Sequence, residues 1–350
     1  MSNTSIFVER VRKVETHPNA DRLEIVQVGR YQVVTGIGQW LEGDVAAYFP
    51  PDCLIPSEVG EELGMSKYLK HATYPGEYVK SACRVGAVRL RGVPSYGFIA
   101  PVPDGVNFSE INDHFRGAHY EPPIRCTAED ADRERGAFPK YTSIEHYQRY
   151  GHWLKEGEPV VITEKLHGTN CRMGYVNVDG LMTFVAGSHN VNRKYSPHGL
   201  YWGFLTDDVR QALVEISNHQ PEKSVDVVLY GEIIGPGIQD MAYGVAAPKF
   251  RAFDMMMGGN YVDYHVFCGL CDLYGIERVP HLYEGPFSEE VLKEHTDGPT
   301  TFEVQTGFAG REGCVVKPTK ERMVGNQRVI LKSVSVDYLS RKNAKDLGEL

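Results

Sequence analysis

The segment Glu164-Lys165-Leu166-His167-Gly168-Thr169-Asn170 gathers side chains that can do chemistry into seven consecutive positions. It follows the apolar run Val160-Val161-Ile162, which places Lys165 at the end of a buried strand. An ammonium there is costly unless it is paired or has lost its proton. A lysine whose pKa is lowered by desolvation and neighbouring cations is a nucleophile. Gly168 lets the backbone approach a ligand closely, and Thr169 and Asn170 add hydrogen-bonding side chains. On these residues alone, a nucleophile and a lysine reaching for solvent before a tight turn are equally open. A second segment, Leu229-Tyr230-Gly231-Glu232-Ile233-Ile234-Gly235, reads as a strand. Alternation puts Val228, Tyr230, Glu232 and Ile234 on one face. A carboxylate among such neighbours needs a partner; a ribose hydroxyl or a hydrated metal would serve.

Lys165-Leu166-His167-Gly168-Thr169-Asn170 resembles the first motif of ATP-dependent RNA ligases of the nick-sealing kind. Those enzymes are covalent lysine nucleotidyltransferases, as are DNA ligases and capping guanylyltransferases. The run from Phe138 to Glu145 is similar to the opening of such ligase domains, and the resemblance extends over about residues 138–335. Leu229–Gly235 resembles the third motif, Phe250-Arg251-Ala252-Phe253-Asp254 the next, Arg311–Lys317 the fourth and Ile330–Ser335 the fifth, in family order. An N-terminal barrel ahead of this domain is similar to the Deinococcus-type ligases.

The resemblance implies a set of roles. Lys165, Glu232, Glu312 and Lys332 would be catalytic, with Lys165 the atom that takes AMP and Lys332 on the α-phosphate. ATP would be bound by Glu164, Leu166, Asn170, Glu232, Phe250, Phe253, Lys317 and Lys332, with Phe250 the first choice for stacking on adenine and Phe253 the alternative. Glu232 and Glu312 would hold magnesium or manganese through its water shell. Two well-separated glutamates suffice, because magnesium keeps several waters. Glu312 and Lys317 are an odd number of residues apart and would face opposite sides of a regular strand. His167, Asn170, His189 and Arg193 would meet the nucleic acid. One departure stands out. Relatives carry an arginine near the place where this chain has Ser188-His189-Asn190, so His189 or Arg193 would have to substitute.

The elements that must position these residues can be read more coarsely. Residues 1–105 are rich in short strand-like runs such as RLEIVQV, YQVVTGI and DVAAYFP, with turn residues between them, as in a small β-barrel. HPNADRLEIVQVGRYQVVTGIGQWLEGDVAAYFP resembles the oligonucleotide-binding (OB) barrel of tRNA-binding domains. Residues 106–137, with paired prolines and the run AEDADRER, read as a linker. Residues 138–350 alternate strands and helices. The expected fold is α+β: an N-terminal OB-fold barrel, then an ATP-grasp-like nucleotidyltransferase domain of antiparallel sheets with flanking helices. DDVRQALVEISNHQ should bury Val209, Leu213 and Ile216, and VDYHVFCGLCDLYG should bury Val266, Leu270 and Leu273.

The composition fits an ordinary folded protein: 42% hydrophobic and 24% charged residues. No apolar run approaches the roughly 18–20 residues of a membrane span. The start has no apolar segment of the kind that directs export, so a cytoplasmic protein is expected. A net charge of −9 argues against coating nucleic acid through bulk charge, though not against a local basic groove. Seven scattered cysteines read as reduced thiols, with Cys268 and Cys271 as small residues on a helix rather than half of a zinc site. Only eighteen residues follow Lys332, so the grip on nucleic acid is expected from the barrel, with Lys80, Arg84, Arg89 and Arg91 supplying positive charge. The implied function is joining of 3′-hydroxyl and 5′-phosphate RNA ends at nicks, in RNA or RNA–DNA hybrid duplexes, for RNA repair, with no obligatory protein partner. A non-catalytic RNA-binding protein, a DNA ligase and a capping guanylyltransferase are the rivals.

Overall fold

A computed structural model of the protein describes residues 4–72, 81–120, 131–132, 138–219 and 224–341. The chain forms two units: Met1–Glu121 with Glu145–Gly151 and Val336–Lys342, and Pro122–Ile144 with His152–Ser335 and Asn343–Leu350. Each unit thus takes segments from more than one stretch of sequence. Of the predicted linker, residues 106–120 belong to the first unit and bury Ile111 and Phe115 in its core, while residues 121–130 and 133–137 lie outside the described residues.

In the first unit β1 (Phe7–Thr16), β2 (Leu23–Val28), β3 (Tyr31–Gly36), β4 (Val45–Phe49) and β5 (Phe98–Pro101) form a sheet in the order β5-β4-β1-β2-β3. A bulge between Val11 and Lys13 divides β1, whose first half pairs with β4 and whose second half pairs with β2. Such a break lets one strand bend and serve both sides of a barrel. Alternation then turns Val11, Val26, Val28, Val33, Ala46 and Tyr48 into one core. The expected turn at His17 is present and is tied down. His17 is buried, its Nε2 lies 3.0 Å from the Leu90 carbonyl oxygen, and the Asn19 amide donates to its Nδ1. Of the basic residues expected on this unit, Arg84 pairs with Asp52 at 2.7 Å and covers the Tyr120 ring, and Arg89 pairs with Asp337. Arg91 sits at a hairpin turn with φ 49°, and Lys80 lies outside the described residues.

The second unit is built on two antiparallel sheets. One runs β8-β7-β9-β10, with β7 (Thr169–Val178), β8 (Leu181–Gly187), β9 (Val227–Ile234) and β10 (Lys249–Met257). The other runs β13-β12-β6-β11, with β6 (Pro159–Lys165), β11 (His281–Pro286), β12 (Gly313–Pro318) and β13 (Leu331–Val334). Val176, Val228 and Tyr230 of the first sheet share one cluster with Val315 of the second and with Ile330, which leads into β13. The opposite face of the first sheet is covered by helix α1 (Asp207–Asn218), capped at its start by the Thr206 side chain and burying Leu213 and Ile216 as expected. Helix α2 (Tyr264–Leu273) has the expected period but a different phase. Val266 and Leu273 are exposed, and Tyr264, Phe267 and Cys271 are buried instead. Turning the two aromatic rings inward removes more apolar surface from water than the aliphatic stripe would. Among the described residues no helix is long and apolar enough to cross a membrane, and the described cysteines are free thiols.

The sheets are joined by a charged cluster that shields itself from water. Asp254 of β10 is fully buried; it accepts from Lys317 Nζ of β12 at 3.1 Å, from Arg328 at 2.6 Å and from the Tyr141 hydroxyl at 2.8 Å. Glu321 also pairs with Lys317 and Arg328, and the Arg328 guanidinium lies 3.7 Å from the Tyr261 ring centre. Burial alone would raise the Asp254 pKa, but Lys317 and Arg328 outweigh it and hold the carboxyl below its ordinary range. Its stabilising contribution is therefore present at neutral pH and is lost only as acid titrates it in the folded state. Breaking a buried pair strands its partners, at a cost of about 3–5 kcal/mol. Asp254→Ala should lower unfolding free energy by about that amount in urea melts, with the slope of the transition unchanged.

Candidate active site

Lys165 ends β6 and reaches Glu312, its Nζ donating to Oε1 at 2.7 Å. Glu312 lies just before β12, where Gly313 takes φ 150°; a Cβ at Gly313 would stand 2.1 Å from the Ser333 carbonyl oxygen. Glycine there lets β12 and β13 close up beside Lys165, which lies across from Gly313 in the register. The odd spacing of Glu312 and Lys317 loses its force because Glu312 precedes the strand. Glu312 is 8% exposed, and its second oxygen is covered and has no hydrogen-bond partner.

Glu232 of β9 comes to the same place from the other sheet. Its Oε1 accepts the Gly168 amide at 3.0 Å, and a Cβ on Gly168 would meet the Ile233 carbonyl oxygen at 2.1 Å. Gly168 is thus required for the nucleophile loop to lie against β9. Asn170, Glu232 and Arg251 are directly opposite one another on three neighbouring strands, so their side chains share a face. The Asn170 Oδ1 is also buried without a partner. Burial pushes the Glu232 carboxyl up to about 8, with Glu312 adding to the rise and the Lys165 ammonium and the Gly168 amide opposing it. Two carboxylates and an amide oxygen, two of them with unanswered acceptors, are a donor set suited to a hard divalent cation that keeps water ligands.

The remaining expected residues separate into groups. Lys332 lies across from Val315, and Val315 lies across from Thr163, so Lys332 faces the same side as Lys165. Leu166 is buried. Glu164 points away from Lys165, into a pocket where Thr300 and Thr301 hydroxyls and the Thr301 amide donate to it. Lys317 is held by Asp254 and Glu321 in the buried cluster. The Phe250 ring lies over Gly231, where a Cβ would meet it at 2.3 Å, and packs in the core shared with α1. That is the face away from Glu232. A bulge after Tyr230 shifts the register, and Phe253 lies on the Glu232 side, 4.8 Å from the Tyr141 ring. His167 lies 2.9 Å from Asp240, and His189 is half-buried. The Arg193 guanidinium stands over the Tyr201 ring at 4.9 Å, with Nε and one terminal nitrogen covered and unpartnered. The Tyr201 hydroxyl in turn meets Thr169.

Sequence reasoning gave no role to Asp254, Glu321 or Arg328. Asp254 directly follows Phe253, but nothing in the sequence joins it to Arg328 across 74 positions. Arg172 was likewise missed. It is almost fully buried beneath the site and donates to the carbonyl oxygens of Ser188 and Phe138 and to Asn192, so it holds the segment carrying His189 and Arg193 against β7.

A strand-end lysine facing glutamates from two antiparallel sheets, preceded by an OB-type barrel, defines a nucleotidyltransferase architecture. The RNA ligase family model matches residues 158–334 and an OB-fold domain model matches residues 5–102. The chain belongs to the RNA ligase family. Its fold is similar to that of Naegleria gruberi RNA ligase with pyrophosphate, at 19% identity over 96% of this chain and 98% of that one, with a TM-score of 0.75. An apo variant of that ligase matches at 20% identity, 96% and 98% coverage and a TM-score of 0.76. A variant with AMP and manganese matches at 20% identity, the same coverage and 0.75. No curated protein sequence matched.

The raised Glu232 pKa gives a signed expectation. Between the ordinary carboxylate value and about 8 the folded protein holds a proton that the unfolded chain releases. Stability without metal should therefore fall as pH rises through that window. Glu232→Gln should flatten the fall in thermal melts recorded from pH 5 to pH 8 without divalent cations. An unaltered slope would show that Glu232 is not the group responsible.

Proposed function

We propose that this RNA ligase uses ATP and a divalent metal ion, with Lys165 as the residue that carries AMP, to seal RNA 3′-hydroxyl and 5′-phosphate ends at nicks. The observation that carries the reading is the Lys165–Glu312 contact beside Glu232, on the face where Lys332 also lies. The Naegleria gruberi relative has been solved with ATP and manganese and with AMP and manganese, which supports the choice of nucleotide and metal.

The reaction runs in three steps. Lys165 Nζ, having given up its proton, attacks the α-phosphorus of ATP; the N–P bond forms as the bond to pyrophosphate breaks. An RNA 5′-phosphate oxygen then attacks the same phosphorus, releasing the lysine and leaving AMP on the 5′ end. A 3′-hydroxyl finally attacks that 5′-phosphate and expels AMP. Glu312 orients the amine, since its carboxylate already accepts from Nζ. Lys332 offsets negative charge that grows at the α-phosphate, and Phe253 is the aromatic available to the adenine on this face. Glu232 and Glu312 would hold a hydrated magnesium or manganese ion, which supplies charge neutralisation at the phosphates. His167, Asn170 and Arg193 are assigned to the RNA, Arg193 as a guanidinium able to pair with a phosphate. The physical work is mostly alignment and charge stabilisation, as in other phosphoryl-type transfers.

The test is sealing of 5′-phosphate nicks whose 3′-hydroxyl strand ends in ribose or in deoxyribose. With ATP and magnesium the ribose-ended nick should be sealed, and Lys165→Ala should give no product. Equal sealing of both nicks would make the protein a general polynucleotide ligase, and labelling by GTP alone would make it a guanylyltransferase. Glu312→Ala should slow the first step on the order of 100-fold, as expected for loss of one group from a transition-state charge site. An unchanged rate at saturating metal would remove Glu312 from it.

A further inference from the structure

Two residues outside every recognised motif fasten the loop that follows Lys165. The Asp240 carboxylate lies 2.9 Å from His167 Nε2, with both side chains 15% exposed. The Tyr243 hydroxyl accepts the His167 amide at 2.6 Å. Both residues come from the connection between β9 and β10. That connection is pinned in place: Ile238, Met241 and Tyr243 are buried, and the Tyr243 ring meets Phe302 at 5.1 Å. At Gly244 an added Cβ would stand 2.1 Å from the Glu303 carbonyl oxygen.

Tyr243 holds φ 53°, a conformation that residues with side chains rarely adopt. A non-glycine residue stays there only when its surroundings outweigh its own preference. That backbone carries a phenol under the His167 amide and, three residues earlier, a carboxylate beside the His167 ring. One segment therefore grips both the backbone and the side chain of the residue two positions after the nucleophile.

We propose that Asp240 and Tyr243 are positioning residues: a latch that sets the nucleophile loop, Tyr243 through the backbone bearing Lys165 and Gly168, and Asp240 through the His167 imidazole that faces the RNA. The Asp240 half rests on the assignment of His167 to the RNA made above. The two halves affect different steps. Tyr243 acts on the first step through the placement of Lys165. Asp240 acts on the transfer of AMP to the RNA end and leaves the first step nearly untouched.

The test uses the full chain and single-turnover rates of lysyl-AMP formation and of AMP transfer from preformed adenylylated protein to a 5′-phosphate nick. Asp240→Ala should slow transfer about tenfold, the loss of one hydrogen bond to a charged group, and change lysyl-AMP formation by less than about threefold. The double variant with His167→Ala should transfer no more slowly than His167→Ala alone, because the two act as one unit. Tyr243→Phe should lower kcat for lysyl-AMP formation severalfold with KM for ATP unchanged. A double variant whose losses multiply, an Asp240→Ala defect equal in both steps, or a Tyr243→Phe effect confined to KM would overturn the latch. A slow His167→Ala beside a normal Asp240→Ala would overturn it alone, leaving the role of His167 standing. A His167→Ala that transfers normally would instead remove the assignment of His167 to the RNA, and the Asp240 half with it.

Discussion

A lysine at the end of a buried strand must be answered by negative charge, and much of the second unit follows from that requirement. Glu312 supplies the answer directly, and Glu232 lies close enough that the lysine's field acts on its carboxyl. The two glutamates come from different sheets, so the pairing is possible only if the sheets hold a fixed separation and register. Two glycines permit that approach: Gly168 against β9 and Gly313 against β13. The buried cluster of Asp254, Glu321, Lys317, Arg328 and Tyr141 ties the same two sheets together through two anionic and two cationic groups. Such a cluster contributes less to net stability than an apolar core of the same volume would, but its geometry admits one arrangement of the strands.

The division between electrostatics and packing also explains the glutamate with the raised pKa. Without metal, Lys165 answers one oxygen of Glu312 and the Gly168 amide one oxygen of Glu232, while the other Glu312 oxygen and the Asn170 amide oxygen stay covered and unpartnered. The site is thus left under-compensated, and Glu232 relieves it by keeping its proton. A divalent cation would remove that need. Holding φ 53° at Tyr243, at about 1–2 kcal/mol, is a cost of the same kind: local stability given up where placement matters.

Much of this was legible in the sequence, because the chemistry is carried by short contiguous runs. The order of the segments around Lys165, Glu232, Glu312 and Lys332 placed three of them within two sheets and the fourth immediately before a strand, and the short strands before residue 105 formed the barrel-type sheet. What could not be read depended on phase and on long-range pairing. Phe250 and Phe253 are three residues apart on β10, so alternation sends the two rings to opposite faces, and the pairing of Arg251 with Glu232 decides which face meets the site. The buried stripe of α2 was misplaced because aliphatic and aromatic residues both repeat at helical spacing, and packing against the sheet, not periodicity, selects between them. The resemblance assigns Lys317 to ATP, and only the folded pairing shows its counter-charges, Asp254 and Glu321. Asp240 and Tyr243 carry no sequence signal, since a loop aspartate and tyrosine are ordinary until their contact with His167 is seen.

The claim on which the account turns is that the Lys165 amine is the covalent acceptor of AMP, and covalent labelling tests it most directly. The intact protein should be incubated with ATP labelled in the α-phosphate and with magnesium or manganese, then denatured, digested and mapped by mass spectrometry. The account predicts one acid-labile adenylyl group per chain on the peptide containing Lys165, released by added pyrophosphate as ATP. Absence of any covalent label under conditions where nicks are sealed, or label on another residue with Lys165 unmodified, would contradict it.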